Sequence, residues 1–171
     1  MSEYALRPAE VADAEAMIAV TFEGFESYRS FAPPEWSPPS ADEELERLRV
    51  LLPDDEVWYH VAEREGELVG HVGFLPAHRT HWGADDASLA HFRQLFIARA
   101  HWGSGLAATL HAAAVEEAAA RGFTAMRLYT PAGQARARRF YERAGWTLAR
   151  PPAFEAHIGL DIAEYRRSLL Q

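Results

Sequence analysis

Apolar positions along this chain switch between a helical rhythm and a strand rhythm, and glycines and prolines punctuate the switches. A short apolar stretch, Tyr4 to Leu6, precedes Pro8. Val11, Ala14, Ile18, Phe22 and Phe25 then recur at helical spacing, with Pro8 near the helix start. The segment PPEWSPPS, Pro33 to Ser40, is too interrupted by proline for a helix or a central strand. Ser40 followed three positions later by Glu43 is a capping-box signature and predicts a second helix to about Leu52. VWYHVAERE and LVGHVGFLPA are rich in β-branched and aromatic residues and flank a turn at Gly66, which predicts a β-hairpin.

A polar loop, HRTHWGADD, leads into the strand ASLAHFRQLFI, which ends around Ala98. An alanine-rich helix follows, with Leu106, Leu110, Ala114 and Ala118 on one side and Gly122 as its stop. AMRLYT reads as a short strand, and Pro131 with Gly133 as a turn. QARARRFYERAG reads as a helix whose Ala137, Phe140, Tyr141 and Ala144 share a face. WTLAR is a strand broken by Pro151 and Pro152, and HIGLDI is the last strand, before EYRRSLLQ. The order β-α-α-β-β-β-α-β-α-β-β predicts an α/β chain with a mixed sheet covered by helices.

Composition narrows the function classes. With 171 residues the expectation is a single domain over residues 1–171. Seventeen Lys and Arg against 25 Asp and Glu leave a net charge of -8, which opposes generic nucleic-acid binding and favours a cationic or neutral partner. Cysteine is absent, so no disulfide, thiolate metal site or cysteine nucleophile is available. No apolar run has transmembrane length, and MSEYALRPAE lacks a basic segment followed by an apolar one. The expectation is a cytoplasmic protein with no membrane partner.

Chemistry concentrates in QLFIARAHWGSGLAATLH, a strand, a glycine turn and a helix. Glycines at a helix mouth let backbone N–H groups approach an anion, so Trp102 to Ala107 could cradle a pyrophosphate. Taken alone, Gly103 and Gly105 equally fit a tight β-to-α turn. A P-loop is excluded by the missing Gly-Lys-Ser/Thr, and a Rossmann fingerprint by the missing third glycine and following acid. Some 27 residues after Ala107 comes Gln134-Ala-Arg-Ala137-Arg-Arg-Phe140-Tyr141, ending at Gly145-Trp146.

These two motifs, in this order and at this separation, resemble the GCN5-related N-acetyltransferase superfamily. The resemblance runs from about Ser88 to Trp146 and extends less specifically to the hairpin at Val57 to Leu75. It implies a mostly antiparallel sheet of six to seven strands, about four flanking helices, and splayed fourth and fifth strands. It implies acetyl-CoA as cofactor, with direct transfer of its acetyl group to a primary amine of a small molecule or peptide. A non-catalytic acyl-CoA-binding sensor or interaction module of the same fold is the alternative. Gly103, Ser104, Gly105, Leu106 and Ala107 would hold the pyrophosphate. Backbone groups of Leu95, Phe96 and Ile97 would pair with the pantetheine arm. Trp102 stands where the family has Arg or Gln, and Gln134 where it often has Asn; both are counted with Ala137 as cofactor residues.

Tyr141 matches the position of the family's acid for the departing thiolate; a packing tyrosine beside Phe140 is the other reading. Counting eleven back from Trp102, to the place of a catalytic glutamate in histone-acetylating members, gives His91. An ordered water is the alternative base. The acceptor would lie among Phe25, Tyr28 and Trp36, rimmed by Glu23, Glu26 and the run Asp42 to Glu46, a setting suited to a cationic amine. His78 and His81 with Asp85 and Asp86 lack the helical spacing of a zinc motif, so no metal is expected. One or two of Arg136, Arg138, Arg139 and Arg143 could reach a CoA phosphate. The resemblance leaves a homodimer open.

Overall fold

The computed structural model describes residues 3–170. Its seven strands form one sheet: β1 (Ala5–Pro8), β2 (Trp58–Arg64), β3 (Glu67–Pro76), β4 (Leu89–Ile97), β5 (Ala125–Pro131), β6 (Thr147–Glu155) and β7 (Leu160–Ser168). Their spatial order is β1-β2-β3-β4-β5-β7-β6, and every pair is antiparallel except β4 with β5. Four helices cover it: α1 (Ala14–Ser27), α2 (Ala41–Leu51), α3 (Leu106–Ala120) and α4 (Ala135–Arg143). Among the described residues no helix is long and apolar enough to cross a membrane.

The two faces of the sheet bury different chemistry. Under α3 and α4, Val72, Phe74, Phe92, Leu110, Met126 and Tyr165 form the larger core. Phe92 is its hub, edge-on to Trp146 at 5.5 Å and to Tyr141 at 6.1 Å. Contacts of this kind add about 0.5–1.5 kcal/mol each beyond area burial. Under α1 and α2, Met17, Ile18 and Leu48 pack on Tyr59, Val61 and Leu75. Ser40 caps α2 by accepting the Glu43 N–H at 3.3 Å, an interaction typically worth about 1 kcal/mol.

Three elements differ from the sequence expectation. Pro8 closes β1 rather than opening a helix, and a short 3₁₀ turn, Val11–Asp13, intervenes before α1; Val11 is 47% exposed, off the buried stripe. β6 runs through Pro151 and Pro152. It is an edge strand, where a missing N–H faces solvent, and its register with β7 slips at these residues. The last strand starts at Leu160, after a turn containing His157, and takes in the EYRRS assigned to the tail. Flanked by β5 and β6, it is ordered by pairing on both sides, which no local pattern reveals.

Candidate active site

A cleft begins where β4 leaves β5. These strands pair only at Leu89 to His91 with Ala125 to Arg127. β5 continues along β7 to Pro131. β4 instead bends at a bulge, where Gln94 and Leu95 oppose Val72 alone, between the pairs Gly73–Arg93 and His71–Phe96. Gln94 adopts a φ of 57°, in keeping with the local kink. The resulting cleft has a volume of about 750 Å³ and is bounded by β4, the loop before α3, the end of β5 and one face of α4.

The walls expose backbone. The Ala98 N–H bonds to the Val69 carbonyl on the β3 side, so strand alternation turns the backbone groups of Leu95 and Ile97 toward the open side. Trp102 Nε1 donates to the Ile97 carbonyl at 2.8 Å. The family's Arg or Gln position is thus occupied by an indole that stitches the loop onto β4.

Gly103 and Gly105 hold φ of 79° and 88°. A Cβ at either would meet open space, so the left-handed backbone, rather than crowding, calls for glycine. The N–H groups of Gly103, Gly105, Ala107 and Ala108 find no acceptor among the described residues. They converge on the N-terminus of α3, an arrangement that suits phosphate oxygens. Arg99 and Arg136 flank Trp102, their guanidinium carbons 5.4 and 4.7 Å from its ring centroid. Free backbone donors and two cations beside a long cleft fit the pyrophosphate and arm of CoA. Gln134 and Ala137 line the same cleft. Arg138 turns away, to the Tyr165 hydroxyl and the Ala132 carbonyl.

Tyr141 lies one turn beyond Ala137. Its ring packs edge-on against Phe92, Phe140 and Trp146, and the side chain also lines the cleft. Its hydroxyl makes no hydrogen bond to the described residues. Burial holds this phenol above its usual range, and the neighbouring Tyr28 phenol pushes the same way, so it stays protonated at neutral pH.

The other sequence candidates divide. Leu95, Phe96, Ile97, Leu106, Ser104 and Tyr28 line the cleft. Phe25 packs behind it against Phe22, Tyr28 and Phe96. Trp36 donates its indole N–H to the Ile158 carbonyl at 2.8 Å and holds the β6–β7 turn. His91 is not brought to the cleft: it is 4% exposed, with Trp82 and Tyr129 at 5.2 and 5.4 Å between ring centroids. Its Nδ1 faces Arg127 Nε at 3.4 Å. Burial, then the Arg127 and Arg93 charges, push its pKa well below the usual imidazole value. With Nδ1 accepting, the proton sits on Nε2 and no lone pair remains for a substrate.

The expected acidic rim is partly taken up by other partners. Glu26 pairs with Arg29 at 2.8 Å, and Glu23 accepts the Arg99 N–H at 2.8 Å. Glu44 is buried between Arg47 at 2.7 Å and His157 at 2.8 Å. The structure instead brings Gln94 and Tyr129 to the cleft wall, with Arg127 and Glu164 against Tyr129 and Arg93 beside Gln94, none of which the sequence reading singled out. A signal existed: Arg93 and Arg127 are charges inside otherwise apolar strand patterns.

The model of the Acetyltransferase (GNAT) family matches residues 22–146. No curated protein matches the chain in sequence. Solved structures share the fold. An N-acetyltransferase from Staphylococcus aureus Mu50 is 17% identical, with a TM-score of 0.74 and coverage of 99% of this chain and 100% of that one. The PaiA N-acetyltransferase of Thermoplasma acidophilum, solved in complex with coenzyme A, is 16% identical, with a TM-score of 0.73 and coverage of 98% and 99%. A spermidine N-acetyltransferase SpeG chimera from Vibrio cholerae and hSSAT is 22% identical, with a TM-score of 0.70 and coverage of 98% and 96%.

Proposed function

This chain belongs to the Acetyltransferase (GNAT) family, and we propose that it is a single-domain acetyl-CoA-dependent N-acetyltransferase acting directly on the primary amine of a small molecule. The observation that carries this reading is one cleft holding both the free N–H groups at the start of α3 and the protonated Tyr141.

When bound, acetyl-CoA supplies the activated acetyl thioester. Gly103, Gly105, Ala107 and Ala108 hold the phosphates through their N–H groups, and Arg99 and Arg136 add positive field. The N–H groups of Leu95 and Ile97 offer donors to the carbonyl oxygen as negative charge develops, a contribution of about 3 kcal/mol for one well-placed donor. An ordinary primary amine is on the order of 0.1% neutral or less at pH 7, so its proton must leave. Glu26 is tied to Arg29 and His91 is buried away from the cleft, so we assign that proton to water. Tyr141 protonates the departing sulfur. The chain has no cysteine to carry the acetyl group.

A thiol-release assay with acetyl-CoA against amines, amino acids, polyamines and peptides tests the reading. Release with at least one acceptor is expected, and Tyr141→Phe lowers kcat on the order of 100-fold while CoA still binds. Tight CoA binding with no release from any acceptor would instead identify a non-catalytic acyl-CoA-binding module.

A further inference from the structure

Behind Tyr129, which lines the cleft, arginines outnumber the carboxylates ion-paired to them. Arg127 on β5, Arg150 on β6 and Arg166 on β7 gather around Tyr129 and Glu164. Arg150 and Arg166 reach Glu164 at 2.9 and 3.3 Å, and Glu164 accepts the Tyr129 hydroxyl at 2.9 Å. Arg127 Cζ stands 5.2 Å from the Tyr129 ring. Among the described residues Glu164 is the one carboxylate ion-paired to any of these three or to Arg93. Arg127, only 3% exposed, gives its hydrogen bonds to neutral acceptors, the Gly83 carbonyl and the Thr80 hydroxyl.

Arg93 on β4 directly precedes Gln94, which lines the cleft. It stands in a cross-strand row with Gly73 and Tyr59, and residues directly paired across antiparallel strands share a face. The Tyr59 ring lies over Gly73, where a Cβ would come within 2.4 Å of it. From there the Tyr59 hydroxyl donates to Gln94 Oε1 at 3.3 Å, and Gln94 lines the cleft. Arg93 makes no ion pair with the described residues, and its buried Nε has no hydrogen-bond partner among them. Leaving a buried guanidinium donor unmatched is costly unless a ligand supplies the acceptor. A planar fork of donors matches a carboxylate.

We propose that the acceptor carries a carboxylate besides its amine, as an amino acid does, and that Arg93 binds that carboxylate while Arg127, Arg150 and Arg166 supply an attractive field. The amine half of this assignment rests on the acetyltransferase reading; the carboxylate half rests on Arg93 alone. It reverses the expectation of a cationic acceptor drawn by acids: of those acids Glu26, Glu44 and Glu46 are already ion-paired.

Matched acceptors test it: α-, β- and γ-amino acids, each against the amine that lacks only the carboxylate. In the wild type the best amino acid is expected to exceed its amine at least about tenfold in kcat/KM, and Arg93→Gln to bring that ratio close to one, a loss of roughly 10- to 100-fold. Arg93→Lys keeps part of the ratio, and CoA titration of both variants checks that they fold. A wild-type ratio near one, or a ratio that Arg93→Gln leaves unchanged, overturns the proposal. Calorimetric titration of the same pairs into CoA-loaded protein reads the carboxylate site without turnover. If no thiol is released, the acetyltransferase reading fails, while selective binding of the amino acid that Arg93→Gln abolishes still supports the carboxylate site and equal binding of both members overturns it.

Discussion

The two ends of the cleft are built from different materials. At the end assigned to the cofactor the donors are the backbone N–H groups of Gly103, Gly105, Ala107 and Ala108, within one six-residue stretch and on small residues that keep out of the way. At the end we assign to the acceptor the chemistry is carried by long side chains from four strands, from Arg93 to Arg166, and by one buried carboxylate, Glu164. A backbone site is tolerant of side-chain identity but intolerant of a changed φ. A side-chain site is the reverse, since any backbone that places the guanidinium will serve.

That contrast can be broken most directly at the loop. Gly105→Val forces a β-branched residue into a φ of 88° and is expected to weaken CoA binding on the order of 100-fold, whereas Ser104→Ala changes it less than about threefold. Equal losses from the two, measured by calorimetry, would mean that side chains hold the phosphates after all.

Next in size is an acid instability shared by both faces of the sheet. His71, on β3 beneath α1, and His111, on α3 against Phe140 of α4, are both held at about 4 by burial, against an ordinary value of 6.5. Below pH 6.5 the unfolded chain takes up protons that the folded one refuses. Stability is therefore full above 6.5 and is lost as pH falls toward 4, by about 1.4 kcal/mol per pH unit for each histidine. Urea unfolding from pH 7 to 4.5 reads the slope, and a His111→Gln variant should show a shallower one. An unchanged slope would remove His111 from the effect.

The smallest effect sharpens the comparison. Arg136 reaches the cofactor end by a side chain, over the Trp102 ring at 4.7 Å. Arg136→Ala should weaken CoA binding only about two- to fivefold, and less at high salt. A larger loss would place the main phosphate contact on that side chain rather than on the loop backbone.

The difference in materials also explains what could be read in advance. The glycine loop leaves a mark in a few consecutive residues, because its donors are adjacent in the chain. The order of strands and helices was legible for the same reason, each rhythm being local. His91 was counted onto the right strand, but its surroundings could not be counted. Trp82, Tyr129 and Arg127, which cover it and engage its Nδ1, come from a loop and a strand far along the chain. Phe25 and Trp36 carried the chemistry of an acceptor pocket, yet packing and an indole bond to Ile158 use them elsewhere.

By itself the sequence determined the alternation of elements, the absence of a thiol and the glycine turn at Gly103 to Ala107; the elements and the turn are set by steric and hydrogen-bonding preferences within a few residues. Only the tertiary structure decided that β6 runs on through two prolines, that Glu26, Glu44 and Glu46 of the acidic rim are ion-paired, and that Arg150 and Arg166 meet at one glutamate. Those outcomes depend on which strands become neighbours, and strand pairing joins residues whose distance along the chain carries no local signal.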